Sequence, residues 1–365
     1  MNGTAVDDPF ACFEGDSDDD ENDKDDESKC NPPEASVAPS IATDQGRRLV
    51  DEANARLDAA VAVKDGLLPV TSASFEVFDT PNDAGKGLRA LKVFECGDEI
   101  LREYAAMRVP NHQAAESLEE AEQLHERAVQ STFNNLHQCT RIAIMQLSSC
   151  DEMKDGYERD MVSPLGVYQT NSFILGDEKC GGLFLTTARM NHSCRPSATH
   201  IWRPDLQKTV VFATRRIEIG EEICTTYGPS ECLDTQGRRD YLRERFSFEC
   251  GCEMCEEGNR FGGDDRMIEI SSLQEDISML AQTGDPQAAI AAVERCLSLL
   301  KEQGISIGPY MKPILYYGYQ IAIDGLKDID LAESYLSKEL VLIQQCEGPT
   351  SPKALQIQAM LDDFK

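Results

Sequence analysis

The sequence predicts an α+β protein: a β-rich body with a helical insert, then a cysteine-bearing loop, then an α-helical C-terminal region. Three observations carry this reading. Between residues 75 and 104, short runs alternate apolar and polar side chains, the period of a half-buried strand. From about residue 266 the apolar residues recur every three to four positions, the period of a helix. Between these regions, Cys250-Gly251-Cys252-Glu253-Met254-Cys255 places three thiols within six residues.

The elements follow in order. Residues 1–45 hold 14 acidic and 2 basic side chains and little apolar surface, so they are predicted to be a disordered acidic tail. Ser17, followed by acids, matches an acidophilic kinase site as well as an unmodified solvated tail. Residues 46–70 read as a helix and linker: Leu49, Ala53, Leu57, Ala60 and Val61 share one face, and Pro69 ends the element. The body is predicted over residues 71–247. It opens with strands at Phe75–Asp79, Leu88–Phe94 and Ile100–Tyr104, separated by turn residues at 81–85 and 96–98. Leu118, Ala121, Leu124, Ala128, Leu136, Ile142 and Met145 then indicate a helical insert, placed at about 105–165. Strands return near Phe173–Leu175, Ala198–Trp202 and Thr209–Ala213, and Tyr241–Phe246 reads as a short helix leading into the cysteine loop at 248–258. Residues 266–365 read as helix pairs of tetratricopeptide-like type without a consensus repeat. Asp285-Pro286 starts one helix, Gly304 stops it, and others follow Gly308-Pro309, Lys327-Asp328 and Pro349.

Composition narrows function. The formal net charge of −30 argues against a protein that tracks nucleic-acid phosphates. It favours basic protein partners, and it serves solubility equally well. Fourteen cysteines without a leader-like N-terminus indicate a reducing intracellular compartment rather than a disulfide framework. No apolar run is long enough to span a membrane.

In a reducing compartment, Cys250, Cys252 and Cys255 read as zinc ligands. Tetrahedral zinc wants a fourth donor, and Cys194 is the candidate. Gly85-Lys86-Gly87-Leu88 lies between two strand patterns, so it is a turn and not a dinucleotide-binding fingerprint. Asn191-His192-Ser193-Cys194 and Gly220-Glu221-Glu222-Ile223, the latter leading to Thr226-Tyr227-Gly228, complete the set.

That order resembles the SET domain of protein lysine methyltransferases, in a SET-and-MYND-like branch without the MYND zinc finger. Residues 105–165 hold only Cys139 and Cys150, too few for such a finger. The resemblance spans residues 75–256 well and the helical C-terminus loosely. It implies small sheets packed around a threaded segment, a post-SET zinc loop completed by Cys194, and S-adenosylmethionine as cosubstrate. It assigns Tyr227 as the catalytic residue. It assigns cofactor contacts to Lys86, Gly87, Leu88, Asn171, Ala188, Asn191, His192, Phe246 and Phe248. Glycine at 87 suits close backbone approach, and a neutral His192 can donate and accept at once. Two positions depart from the pattern: Ser197 stands where Asn is usual, and Phe246 where Tyr is common. The expected activity is N-methylation of a lysine on a basic protein, histone or otherwise, in the nucleus or cytoplasm. The alternatives are a SET-fold adaptor acting through its helical C-terminus and acidic tail, and a histone chaperone acting through the tail alone.

Overall fold

Nine short strands build three separate three-stranded sheets in the computed structural model, which describes residues 72–81, 85–110, 117–149, 162–176, 180–228, 233–256, 263–305 and 310–364. The acidic tail, the Ser17 motif and the helix expected at 46–64 lie outside the described residues. In the first sheet β2 (Lys86–Ala90) lies between β1 (Phe75–Asp79) and β9 (Glu222–Ile223). The register Val77↔Leu88↔Ile223 turns Leu88 inward, and Leu88, Ala90, Phe94, Met190, Val211, Ile217 and Ile223 share one buried core. The second sheet runs β3 (Glu99–Glu103), β8 (Lys208–Ala213), β7 (Ala198–Arg203). The third runs β4 (Met107–Pro110), β6 (Cys180–Leu183), β5 (Ser172–Ile174).

Three of these strands escape the sequence pattern: β4, β6 and the two-residue β9. β4 lies within the stretch assigned to the helical insert, because four residues with only Met107 and Val109 turned inward carry too little periodicity to register. β6 contains Gly181 and Gly182, which carry no strand signal. Leu175 needs the space a Cβ on Gly182 would occupy, 2.8 Å away, and the Tyr168 ring does the same at Gly181. The insert is helical from α1 (Leu118–Asn134) through α2 (Gln138–Ile144). A further helix, α3 (Pro164–Asn171), is capped by Ser163, whose hydroxyl accepts Gly166 N–H at 3.0 Å.

One crossing fixes the middle of the body. The segment after β9 lies parallel to residues 191–193: Thr225 N–H donates to Asn191 C=O at 2.9 Å, and Ser193 N–H donates to Thr225 C=O at 2.8 Å. Ser197, where the family pattern has Asn, is fully buried, and its Oγ accepts Cys224 N–H at 2.9 Å. The shorter side chain therefore pins the same crossing instead of leaving a hole.

α4 (Thr235–Phe246) begins six residues before the predicted Tyr241. Asp234 Oδ1 accepts Gly237 N–H at 2.7 Å and caps it, a signal masked in the sequence by the helix's run of charge. Beyond it are α5 (Gly263–Thr283), α6 (Pro286–Glu302), α7 (Met311–Gln320, continuing as a π-helix over Ile321–Leu326), α8 (Ile329–Glu347) and α9 (Pro352–Asp362). Asp285, Asp328 and Ser351 cap α6, α8 and α9 through Ala288, Leu331 and Ala354 N–H at 3.0, 2.9 and 3.1 Å. The end of α8 is fastened to the second sheet. Buried Arg203 of β7 donates to Glu347 C=O at 3.2 Å and Thr350 C=O at 3.1 Å.

β7 also carries half-buried His200, whose ring meets Phe173 edge-on at 4.4 Å and whose Nδ1 has no partner among the described residues. Burial pushes its pKa down to about 4. Between pH 6.5 and 4 the unfolded chain therefore binds a proton that the folded chain refuses, and stability falls as pH falls. His200→Phe is expected to remove this term. In urea titrations the variant should lose about 2 kcal/mol less than wild type on going from pH 7 to pH 5.

Candidate active site and metal centre

The threaded crossing brings the site together. Asn191 Nδ2 donates to Glu222 Oε1 at 2.8 Å and to Lys86 C=O at 3.4 Å, tying the Asn-His segment to the start of β2. Gly87 is required for packing: a Cβ there would lie 2.6 Å from Glu222 Oε1 and 2.9 Å from Phe78 and Thr80. Its missing side chain makes room for these protein groups. Leu88 points into the core and pairs on both sides within its sheet, so it supports the turn from beneath. Asn171, at the end of α3, donates through Nδ2 to Ser148 C=O at 2.7 Å and Val167 C=O at 2.8 Å. Its nitrogen is spent on these bonds, and Oδ1 is the atom left to face a ligand. Ser148 also flanks Gly85, its Oγ 3.7 Å from where a Cβ would stand, so Asn171 and the glycine turn share a neighbourhood.

His192 is a neutral bridge. Its Nδ1 accepts Tyr227 N–H at 3.0 Å, which leaves the proton on Nε2, 3.3 Å from Cys194 Sγ. Burial pushes its pKa down to about 4, so the ring stays uncharged near neutrality. The donate-and-accept capacity expected for a cofactor is therefore spent on the protein. In the parallel crossing the bonds to Thr225 come from residues 191 and 193, so the N–H and C=O of His192 face the other way, and no described group takes them.

Tyr227 donates its hydroxyl proton to Met190 C=O at 2.8 Å. Burial raises its pKa above the usual phenol value, so the group stays protonated and its oxygen lone pairs remain as acceptors. Three rings surround it: Phe246 at 5.0 Å, His192 at 5.5 Å and Phe248 edge-on at 6.3 Å between centroids. Phe246 closes α4, and Ser247 turns the chain with a left-handed φ of 58°, bringing Phe248 back toward Tyr227. Ala188 sits half-buried on the turn Thr187–Arg189 that leads into Met190 and Asn191.

One positioning residue has no motif to announce it. Glu103, the last residue of β3, accepts Thr186 N–H at 2.7 Å, and Thr187 N–H and Oγ1–H both at 2.8 Å. Burial outweighs these bonds and raises its pKa. Glu103 so fixes the turn from which Ala188, Met190, Asn191 and His192 follow. In the sequence it is one more acid at the end of an alternating strand.

The four cysteines converge. The sulfurs of Cys194, Cys250, Cys252 and Cys255 lie within 4.8 Å of one another, and all but Cys252 are fully buried. Four thiols at that spacing suit a tetrahedral thiophilic ion such as zinc. Hydrogen bonds from Cys194, Cys250 and Cys255 draw the Cys252 thiol well below its usual pKa, while the same network raises those of Cys194 and Cys250, so without an ion the negative charge gathers on Cys252. Among the described residues no other such group of ligands exists.

A family model for the SET domain matches residues 85–228, from the glycine turn to Gly228. Residues 85–228 are thus similar to a SET domain. Histone-lysine N-methyltransferase set5 of Schizosaccharomyces pombe (strain 972 / ATCC 24843) is 27% identical over 300 residues, covering 81% of this chain and 86% of that protein. N-lysine methyltransferase SMYD2 of Homo sapiens is 32% identical over 109 residues, and histone-lysine N-methyltransferase SMYD3 of Homo sapiens 26% over 161. These two alignments cover 24% and 36% of the human proteins. Asn191, His192 and Tyr227 lie inside the matched SET domain, while Phe246, Phe248 and the cysteine loop follow it.

Proposed function

We propose that this protein transfers a methyl group from S-adenosylmethionine to a lysine side chain of a protein. The observation that carries the reading is the convergence of Lys86, Gly87, Asn191 and Glu222 on one side of the crossing with the Tyr227–Phe246–Phe248 rings on the other. Relatives named for lysine methylation support it. The cosubstrate, when bound, supplies an electrophilic methyl on a sulfonium centre. Lys86 C=O, Asn171 Oδ1, the Asn191 side chain and the outward backbone of His192 would hold it, with Ala188 and Phe248 as apolar walls.

The remaining chemistry belongs to the side chains. A free lysine has a pKa of about 10.4 and must lose its proton to attack. A desolvated site walled by Phe246, Phe248 and Tyr227 disfavours the ammonium form. Tyr227, its proton held by Met190 C=O, offers lone pairs that orient the amine and take weak C–H···O contacts from a polarised methyl. Alignment in the narrow space supplies an entropic advantage.

Phe246 sets how many methyl groups fit. Phe246→Tyr places a hydroxyl beside Tyr227, where it would hydrogen-bond the amine and fill space. The most highly methylated product is expected to fall by at least one methyl group, read by mass spectrometry of the modified lysine.

A histone or another basic, lysine-rich protein is the substrate class that the net charge of −30 favours, with nucleus or cytoplasm as location and no direct nucleic-acid binding. Among the described residues no helix is long and apolar enough to cross a membrane. Transfer of labelled methyl from S-adenosylmethionine to purified histones and cell-extract proteins tests the proposal. Lysine-specific labelling by wild type is expected. Its absence, with partner binding intact, would leave the adaptor reading.

A further inference from the structure

The four-cysteine cluster carries a charge problem that one arginine is placed to meet. Four thiolates around a divalent ion leave a net charge of −2, and three of the four sulfur-bearing residues are fully buried. Buried charge without a partner is costly. Arg238 of α4 is itself buried, with its side chain 4% exposed. Its Nη2 lies 3.6 Å from Cys255 Sγ and 3.2 Å from Met254 C=O. Nη2 also donates to Thr235 Oγ1 at 3.0 Å, Nη1 donates to Leu233 C=O at 2.6 Å, and Nε has no partner among the described residues. The nearest carboxylate, Asp264, stands 3.9 Å away and is occupied by Thr235 N–H and Oγ1–H. The neighbouring Arg239 also reaches the loop, through Cys250 C=O at 3.2 Å, Cys255 C=O at 2.8 Å and the Glu249 carboxylate at 3.6 Å, but touches no ligand sulfur.

We infer that Arg238 is the charge partner of the metal centre, raising its affinity for a divalent ion by offsetting the thiolate charge, while Arg239 shapes the loop. This rests on the cysteines binding a metal. It gives the two consecutive arginines different duties: one touches a ligand sulfur, the other touches loop carbonyls and the Glu249 carboxylate, which already offsets its charge. It also makes burial of Arg238 and filling of the site mutually supporting, because each supplies the charge the other lacks.

Competition of the full-length protein with a chromophoric chelator for zinc tests it, using wild type, Arg238→Met, Arg238→Lys and Arg239→Gln. Zinc affinity should fall about 10- to 100-fold in Arg238→Met. Arg238→Lys, which restores the charge, should recover most of it, and Arg239→Gln should lose far less than Arg238→Met. Should Arg238→Met fail to fold by circular dichroism, Arg238→Gln replaces it against Arg238→Lys. Equal affinity in Arg238→Met and wild type, or a Lys variant as weak as the neutral one, would overturn the role. A wild-type chain that takes up no zinc would instead remove the metal centre itself, which separates the two failures.

Discussion

Tyr227→Phe is expected to keep its fold and its affinity for S-adenosylmethionine to within about threefold, yet to lose about 10²- to 10³-fold in methyl-transfer rate. The split follows from geometry. The hydroxyl makes a single hydrogen bond within the protein, to Met190 C=O at 2.8 Å. The ring's contacts with His192, Phe246 and Phe248 survive the change. What disappears is an oxygen aimed where the amine and methyl must meet. Single-turnover rates with labelled cosubstrate, beside calorimetric binding, separate the two effects. Equal losses of binding and rate would make Tyr227 a scaffold residue. Its raised pKa adds a further expectation: the rate should climb with pH as the substrate lysine deprotonates, with no falling limb from Tyr227 below pH 10.

Removing the metal should have the second largest effect. Cys194 ties the cluster to the Asn-His segment through His192 Nε2 at 3.3 Å, and Cys250 lies two residues beyond Phe248. Emptying the centre leaves four crowded thiols and frees both the aromatic wall and the bridge. Cys252→Ser, or wild type treated with a strong chelator, is expected to melt about 5–10 °C lower, a loss of several kcal/mol. Affinity for S-adenosylmethionine should drop at least about tenfold. Thermal melting with and without added zinc, alongside metal analysis, measures both. A chain that contains zinc yet melts unchanged without it would show the cluster to be dispensable for stability.

The sequence disclosed this site unevenly. Cys250, Cys252 and Cys255 announce themselves because metal ligation needs donors at short spacing. Asn191, His192 and Tyr227 could be placed only as parts of an ordered motif, since each residue type alone has commoner uses. Glu103 could not be found at all, and Glu222 stands in a motif without a role: their partners lie 83 and 31 residues away, and an acid in a chain this acidic carries no signal. Gly87 and the His192 ring also make tertiary contacts that no local pattern encodes. The helical C-terminus was legible for the opposite reason. Asp285, Asp328 and Ser351 cap helices within three residues of themselves, so the cause is local and written in order.

The most direct test is calorimetric titration of the zinc-loaded full-length protein with S-adenosylmethionine, run beside Asn191→Ala. Saturable binding of one molecule per chain, weakened at least about tenfold in the variant, is the predicted result, because Asn191 joins the glycine turn to the crossing. No binding by folded wild-type protein holding about one zinc per chain would contradict the proposal that this SET domain is a methyltransferase.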